Sequence, residues 1–359
     1  MQGYNIGYYI RRIRKEREIC QEVLYEGLCS RSTLHRIESG EQQPGLFVAS
    51  QLLQRLGLDE SSFLLPLGPQ DFEISNLQKE IISLNAQSRF AEALEKIARL
   101  ETLVVPQDKL AQQFILRAKA LAGYECDGKR CPYDYPTRRQ MLIKALNMTH
   151  PNFDLEKIER CLLSIEDMKS LNQIAVTYSE TGDRRFAIRI YEQLMKYPRN
   201  RLFNNEALLS VTPLLCYNFS RLLGKERRYE ECIEIAQYGY DISLKYDKAR
   251  LLGGLLLNIG YSLEKLGRKE ESMKYLKASY HAYCLIGWEK EAQNVKNYMQ
   301  QNFPSYKCID SSKLSYVATH IYFESGNFHF PWELQVWTAK NEKGNKNSHR
   351  LYKQEYTEW

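Results

Sequence analysis

A run of residues between positions 30 and 40 combines hydroxyl side chains, arginines and a histidine with two apolar residues. Ser30 is a preferred N-cap residue and Gly40 a preferred helix terminator, so the run predicts a helix between them. Leu34 and Ile37, three residues apart, would form the buried side of that helix. The side chains left on its outer face carry donors and acceptors suited to base edges and phosphate groups. These candidate DNA-contacting residues are Ser30, Arg31, Ser32, Thr33, His35 and Arg36.

Two further helices are predicted just before this one. Ile10–Arg14 places isoleucines on one helical face and arginines on the others, which indicates an inner face and a basic outer surface. A second helix is predicted from about Gln21 to Glu26, and Gly27–Cys29 forms a tight turn in which glycine provides backbone freedom. The helix from about Gln21, this turn and the helix after Ser30 together are typical of the helix-turn-helix motif. In that motif the second helix, here the one after Ser30, enters the major groove, where arginines favour guanine.

The composition is that of a soluble globular protein. The chain has 359 residues, of which 43% are hydrophobic and 26% charged, and its net charge of +6 permits binding to polyanions without indicating it. No apolar run approaches the roughly 18 residues that span a bilayer, and no signal-peptide segment is evident, so we expect a cytoplasmic protein. Phosphate-binding loops and zinc-protease or hydrolase motifs are absent from the sequence, so we expect no enzyme.

The nine cysteines are scattered through helical patterns, which favours reduced, structural thiols. One close pair, Cys126 and Cys131, flanks a polar turn. A zinc site would need about two more ligands than this neighbourhood offers, so a plain loop is the better interpretation. We expect neither a metal nor a cofactor.

Apolar residues recur at helical spacing from Ile10 to about Met299, which predicts an all-α protein. Phe63–Pro69 combines apolar residues with helix breakers and is predicted to be a linker. We therefore expect a five-helix domain in residues 1–65, helical repeats in residues 70–306 and a tail in residues 307–359. In that tail, Tyr316–Phe323 is a candidate strand, followed by a turn and an edge segment at Phe328–Phe330.

Small residues at matching positions indicate the helical repeats. Each marks a place where two helices must approach closely, and each second helix follows a polar turn. The pattern resembles the tetratricopeptide repeat, which implies a right-handed superhelix, although spacings of about 45 and 40 residues exceed the usual 34 or so. The small residues are Ala93, Ala187, Cys232 and Ser272 in the second helices, and Ala175, Ser220 and Gly260 in the first.

In tetratricopeptide-like arrays the first helix of each unit lines the concave groove. Carboxamide side chains recur at equivalent places on three of these helices, and each offers a donor and an acceptor to the backbone of an extended peptide. Ordinary hydrogen bonding between neighbouring helices is a nearly equal alternative. The candidate ligand-binding residues are Gln173, Asn218 and Asn258, with Arg221 and Tyr261 three residues further on.

The run Cys20–Gly40, followed by Pro44, resembles the phage-repressor-type (Xre-like) helix-turn-helix, with one residue fewer between its second and third helices. This shortened turn is similar to that of peptide-responsive regulators of Gram-positive bacteria, the Rgg and PlcR type (RRNPP-like). The resemblance implies a homodimeric transcriptional regulator that binds an operator in double-stranded DNA. It also implies tetratricopeptide-like repeats whose concave surface binds a short, re-imported signalling peptide.

The resemblance assigns roles to several residues and leaves alternatives open. Tyr25 stands where a small residue is usual, which puts the packing of the second helix in doubt. A degenerate helix-turn-helix that mediates only protein contacts is one alternative. A repeat scaffold that regulates partner proteins directly, with DNA binding secondary, is another. Gln21 and Ser30 match positions that usually contact phosphate, and Arg31, Ser32 and Arg36 match positions that read bases.

Overall fold

The computed structural model describes residues 5–58, 69–105, 108–200, 209–246, 249–303, 319–323 and 332–336. Most of these residues are helical, which confirms the predicted all-α class. The chain divides into two compact units, Met1–Leu222 and Leu223–Trp359. Within the described ranges, no helix combines the length and the apolar character that a membrane span requires.

The first unit begins with four short helices: α1 (Ile6–Glu16), α2 (Gln21–Tyr25), α3 (Arg31–Glu38) and α4 (Leu46–Arg55). The helix predicted after Ser30 is confirmed, because the Ser30 hydroxyl accepts the Thr33 N–H at 3.1 Å and Leu34 and Ile37 are fully buried. The predicted fifth helix of this domain would have to lie beyond residue 58, outside the described residues.

Longer helices follow in the described part of the first unit, and successive ones from α5 to α10 pack against each other. They are α5 (Pro69–Ala86), α6 (Phe90–Leu103), α7 (Lys109–Ala122), α8 (Tyr135–Thr149), α9 (Ile165–Glu180), α10 (Arg184–Asn200) and α11 (Thr212–Lys225), the last of which continues past Leu222.

The segment predicted to be a plain loop around Cys126 contains a β-hairpin, which corrects that prediction. Strands β1 (Tyr124–Cys126) and β2 (Lys129–Cys131) pair antiparallel. Asp127 and Gly128 both adopt positive φ, as a two-residue hairpin turn requires. The Asp-Gly pair was therefore the sequence signal for the hairpin.

The second unit continues the repeat pattern with α12 (Tyr229–Lys245), α13 (Leu252–Lys265), α14 (Lys269–Leu285) and α15 (Glu289–Asn302). The predicted close approach of small residues is confirmed here. The Ser272 hydroxyl donates to the Gly260 carbonyl at 2.7 Å, and a Cβ at Gly260 would lie 2.9 Å from Leu276. The predicted strand in the tail appears as β3 (Thr319–Phe323), paired antiparallel with β4 (Trp332–Val336). The predicted edge segment Phe328–Phe330 lies outside the described residues.

Three of the second helices start with the same local geometry. The residues before α6, α12 and α14 are Arg89, Arg228 and Arg268, and each has φ near −85° and ψ near 65°. Each of these arginines forms a two-pronged ion pair with a glutamate three residues on. This recurrence identifies the helical hairpins as copies of one structural unit.

Arg55, at the end of α4, ties the N-terminal helices to the repeat helices of the first unit. Its side chain is 4% exposed. One terminal nitrogen, Nη1, donates to the carbonyl oxygens of Leu24 and Glu26 at 3.0 and 2.6 Å. The other, Nη2, lies 3.4 Å from the Thr149 carbonyl oxygen and 3.2 Å from His150 Nε2. The guanidinium thus holds the end of α2 against the end of α8.

Asp167, in the first turn of α9, supplies the negative charge at this junction. Its Oδ2 lies 3.0 Å from His150 Nε2 and accepts the Ser164 N–H and hydroxyl, while Oδ1 accepts from Gln113 at 2.8 Å. Burial alone would raise the pKa of the Asp167 carboxyl, but interactions with His150 and Arg55 hold it far below its ordinary range. The carboxylate is therefore ionised at neutral pH and balances the buried guanidinium.

Backbone and apolar contacts complete the same junction. Gly27, in the turn between α2 and α3, has a φ of +71°, and a Cβ there would lie 1.7 Å from the Thr149 carbonyl oxygen. The Ile165 N–H donates to Gln54 at 2.9 Å, and Leu162 belongs to the apolar core of the N-terminal helices. The N-terminal helices consequently fold against α8 and α9, and the two share buried surface.

Gly27→Ala is expected to lower the melting temperature more than Gly128→Ala does. Both glycines have a φ near +70°, and this conformation costs a residue with a Cβ about 1–2 kcal/mol. Only Gly27 adds a clash with backbone, because a Cβ at Gly128 would meet nothing within 4 Å. Thermal denaturation of the two variants checks this. Equal decreases in melting temperature would show that the turn at Gly27 does not contact α8.

Candidate nucleic-acid interface

The predicted DNA-contacting residues lie together on the outer face of α3, the recognition helix. Arg31, Ser32, His35 and Arg36 are exposed, and Thr33 is half-buried. In the part of the chain that the structure describes, neither arginine forms an ion pair. Their guanidinium groups are thus available to an external partner.

Hydroxyl groups cluster at the start of the recognition helix. The exposed Ser30 hydroxyl lies 2.8 Å from those of both Ser32 and Thr33. Its capping bond to the Thr33 N–H fixes the position at which the helix begins. The three hydroxyls therefore present oxygen and O–H groups in a fixed arrangement beside Arg31.

Glu38 anchors the inner side of the recognition helix. Its carboxylate is 3% exposed and accepts two bonds from Arg14, at 2.5 and 2.8 Å, and one from the Gln21 amide at 2.7 Å. Arg14 also donates to the Ile19 carbonyl at 3.0 Å. Burial alone would raise the pKa of Glu38, but the bonds from Arg14 and Gln21 and the charge of Arg14 lower it below the usual value.

This anchor corrects the sequence analysis on one residue. Arg14 was expected on the basic outer surface of α1, yet its side chain is buried against Glu38. The reason is its position: it lies four residues after the buried Ile10 and so shares the inner face of the helix. Glu38 was missed, although it lies four residues after the buried Leu34 and so shares the inner face of the helix.

Gln21 lies at the start of α2, as predicted, and is half-buried. Its side-chain nitrogen is engaged with Glu38. The predicted phosphate contact through Gln21 stays a prediction, and within the chain this residue links α2 to the recognition helix.

Three of the predicted ligand-binding residues lie in the first unit. Asn218 donates to the Asn172 side chain at 3.1 Å and to the Leu214 carbonyl at 3.3 Å. Asn172 is fully buried and also accepts from the Tyr191 hydroxyl. The carboxamide that faces Asn218 is therefore Asn172, one residue before the predicted Gln173. Arg221 is exposed, with a guanidinium nitrogen 3.8 Å from Glu180.

The other two predicted ligand-binding residues lie in the second unit. Asn258 is half-buried, and its backbone carbonyl oxygen lies 3.7 Å from the Cys232 sulfur. The Tyr261 ring has the Tyr229 and Tyr298 rings at centroid distances of 6.3 and 5.9 Å. Tyr261 is thus part of an aromatic cluster on α12, α13 and α15 that the sequence did not reveal.

Comparisons with known proteins agree with this architecture. The profile of the RNPP family C-terminal domain matches residues 78–300, and a helix-turn-helix profile matches residues 10–63. Curated protein sequences give no match.

Among solved structures, Bacillus thuringiensis PlcR in complex with the peptide PapR7 and DNA is 22% identical, covers 83% of this chain and 99% of its own, and has a TM-score of 0.52. PlcR in its apo form is 20% identical, with coverages of 81% and 98% and a TM-score of 0.50. These two structures share the fold of this chain.

Glu38→Gln is expected to destabilise the N-terminal helices by about 3–5 kcal/mol at neutral pH, because it leaves Arg14 buried without its charge partner. The folded-state pKa of Glu38 is lowered. Its stabilising effect is therefore fully present above the unfolded pKa of about 4.3 and is lost as the pH falls through the folded pKa. The difference in stability between wild type and variant should therefore become smaller at acidic pH.

Hydrogen exchange of the α3 amides at several pH values measures this difference. The control is Glu41→Gln, since Glu41 is an exposed carboxylate just beyond the same helix. A gap between wild type and Glu38→Gln that stays constant down to strongly acidic pH would contradict the assigned role of Glu38.

Proposed function

This chain belongs to the RNPP family, and we propose that it is a sequence-specific transcriptional regulator whose DNA binding is controlled by a short signalling peptide. The observation that carries the proposal is the outer face of the recognition helix. Two exposed arginines stand there without an internal partner in the described part of the chain, on a helix whose inner face is locked by Glu38.

The recognition helix fits the major groove. A helix-turn-helix protein inserts the N-terminal residues of this helix between the strands, so that base edges are read there. We assign base contacts to Arg31, Ser32 and Arg36, with guanine favoured by the arginines. Ser30, with Gln21, is assigned to phosphate contacts. A homodimer would place two such helices on the two half-sites of an operator.

The peptide is proposed to bind the concave surface of the repeats. The Asn218 side chain uses its N–H group inside the protein, which leaves its oxygen to accept from the backbone of a ligand. Gln173 and Arg221 in the first unit, and Asn258 and Tyr261 in the second, are also assigned to peptide contacts. The relative PlcR, with which this chain shares its fold, has been solved in complex with both a peptide and DNA, which supports a dual role.

The proposed control requires that the peptide binds one arrangement of the repeats more tightly than another. Arg55 and Asp167 offer a route to the DNA-binding helices, because they join α2 and α4 to the ends of α8 and α9. A shift of α9 relative to α8 would change the hydrogen bonds of His150 and hence the contacts that hold the Arg55 guanidinium.

Replacing Arg31 and Arg36 together by alanine is expected to abolish selective binding to DNA. Both side chains are exposed, so the loss should leave the melting temperature unchanged. Selection of bound duplexes from a fragmented genomic library, with wild type and variant in parallel, measures the effect. Arg89→Ala is the control, because it removes an exposed arginine that directly precedes α6, outside the N-terminal helices. If the double variant still enriches the same sequences, the assignment of α3 as the DNA-reading helix fails.

Asn218→Ala combined with Asn258→Ala is expected to remove the transcriptional response to the signalling peptide while DNA binding persists. Each substitution deletes a carboxamide that we assign to the ligand backbone. A reporter driven by the selected operator, with culture supernatant added as the peptide source, gives the readout. Gln293→Ala, which deletes an exposed carboxamide on α15, is the control. If the double variant responds as strongly as wild type, these two residues do not bind the peptide.

A further inference from the structure

We propose that a cleft between α1 and the recognition helix binds a backbone phosphate of DNA, and that Arg11 and Lys15 of α1 provide its uncommitted cations. The inference rests on the proposed DNA binding. It adds residues of α1, which the sequence analysis had described only as a basic outer surface.

The cleft measures about 370 Å³ and is lined by residues of α1, the start of α2 and the recognition helix. Arg11 and Lys15 are four residues apart on α1 and so lie on one face of that helix. Arg31 and His35 are spaced in the same way on the recognition helix and line the opposite side. Two rows of basic or polar side chains thus face one another across the cleft.

The charges in the cleft favour an anion. Arg14 and Glu38 also line it, but they neutralise each other through their two-pronged ion pair. Arg11, Lys15 and Arg31 then face a single remaining carboxylate, that of Glu22. Arg11 and Lys15 are exposed, and no ion pair engages either of them in the described part of the chain. Their positive charge is therefore left for a ligand.

Arg12 shows that this arrangement is specific to one face of α1. It is the direct neighbour of Arg11 and is equally basic and exposed. Yet it does not line the cleft: its Nε lies 3.6 Å from Glu16, and its guanidinium carbon lies 5.0 Å from the Tyr9 ring. The same helix therefore carries a committed arginine and two uncommitted cations.

The position of the cleft points to DNA rather than to a small free anion. Arg31 at its edge is a proposed base-reading residue, and a helix seated in a groove about 12 Å wide has a phosphate backbone close on each side. A cationic cleft that opens beside the base-reading face meets that backbone when the helix is inserted. Contacts of this kind set affinity and orientation without reading sequence.

Salt dependence distinguishes a phosphate contact from other effects. Each phosphate neutralised by a protein changes the slope of log K against log salt by about 0.9. Losing one phosphate contact should therefore make the affinity loss about threefold larger at 50 mM than at 200 mM salt. The loss should be the same for every sequence.

The test measures binding of the full-length protein to a short random-sequence duplex over a series of KCl concentrations. The variants are Arg11→Ala, Lys15→Ala and the two combined, with Arg12→Ala as the matched control. We expect the combined variant to flatten the slope by about 0.9, the single variants to flatten it less, and Arg12→Ala to match wild type. Melting temperatures should agree, because all three side chains are exposed.

Other outcomes would overturn the assignment. If the combined variant has the wild-type slope, or if Arg12→Ala flattens it equally, the cleft does not bind a DNA phosphate although DNA binding itself stands. If inorganic phosphate binds to the protein without DNA, and this binding depends on Arg11 and Lys15, the cleft is a site for a free anion. If the wild type binds no duplex at any salt concentration, the proposed function itself fails.

Discussion

The buried carboxylate of Glu38 is the constraint on which the proposed DNA-binding surface depends. An ion removed from water is tolerated only when other groups satisfy its charge and its hydrogen bonds. Glu38 obtains both from α1, through Arg14, and from the start of α2, through Gln21. All three helices must therefore adopt one arrangement, and that arrangement turns Arg31 and Arg36 outward. The buried contacts of Glu38 therefore determine which side chains the recognition helix exposes.

A second pair of buried charges extends this logic to the repeats. Arg55 comes from the N-terminal helices and Asp167 from α9, and both contact His150. His150 Nε2 stands between a donor on Arg55 and an acceptor on Asp167, and it cannot serve both with one proton state. Which of these two bonds His150 forms therefore depends on its tautomer. The first repeats and the DNA-binding helices are joined by a contact that a small movement of α8 or α9 can change.

Local features were predictable from the sequence, and pairings between distant residues were not. The cap at Ser30 and the buried side formed by Leu34 and Ile37 follow from neighbouring residues, as do the small residues where helices cross. Arg14 and Glu38 are 24 residues apart, and Arg55 and Thr149 are 94 apart. No periodic pattern links such positions. Their partners become known only when the fold brings them together.

The repeats show where sequence alignment reaches its limit. Matching small residues aligned the first helices well enough to identify the repeats, but they did not reveal that the Asn218 side chain meets Asn172, the residue before Gln173. One residue corresponds to about 100° around a helix, so an offset of one moves a side chain to a different face. The alignment fixes which helices are equivalent, whereas the crossing of two real helices fixes which atoms meet.

Charge pairing, more than net charge, marks the proposed DNA-facing surface. The chain has 50 basic and 44 acidic residues, a small excess for a protein of this length. On α1, Arg12 is close to Glu16 and Arg14 is paired with Glu38, which leaves Arg11 and Lys15. On the recognition helix, Arg31 and Arg36 are likewise left over in the described part of the chain. Since compensated charges contribute little to the field outside a protein, these four cations on adjoining helices concentrate it on one face. A modest net charge can thus be compatible with strong local attraction for a polyanion.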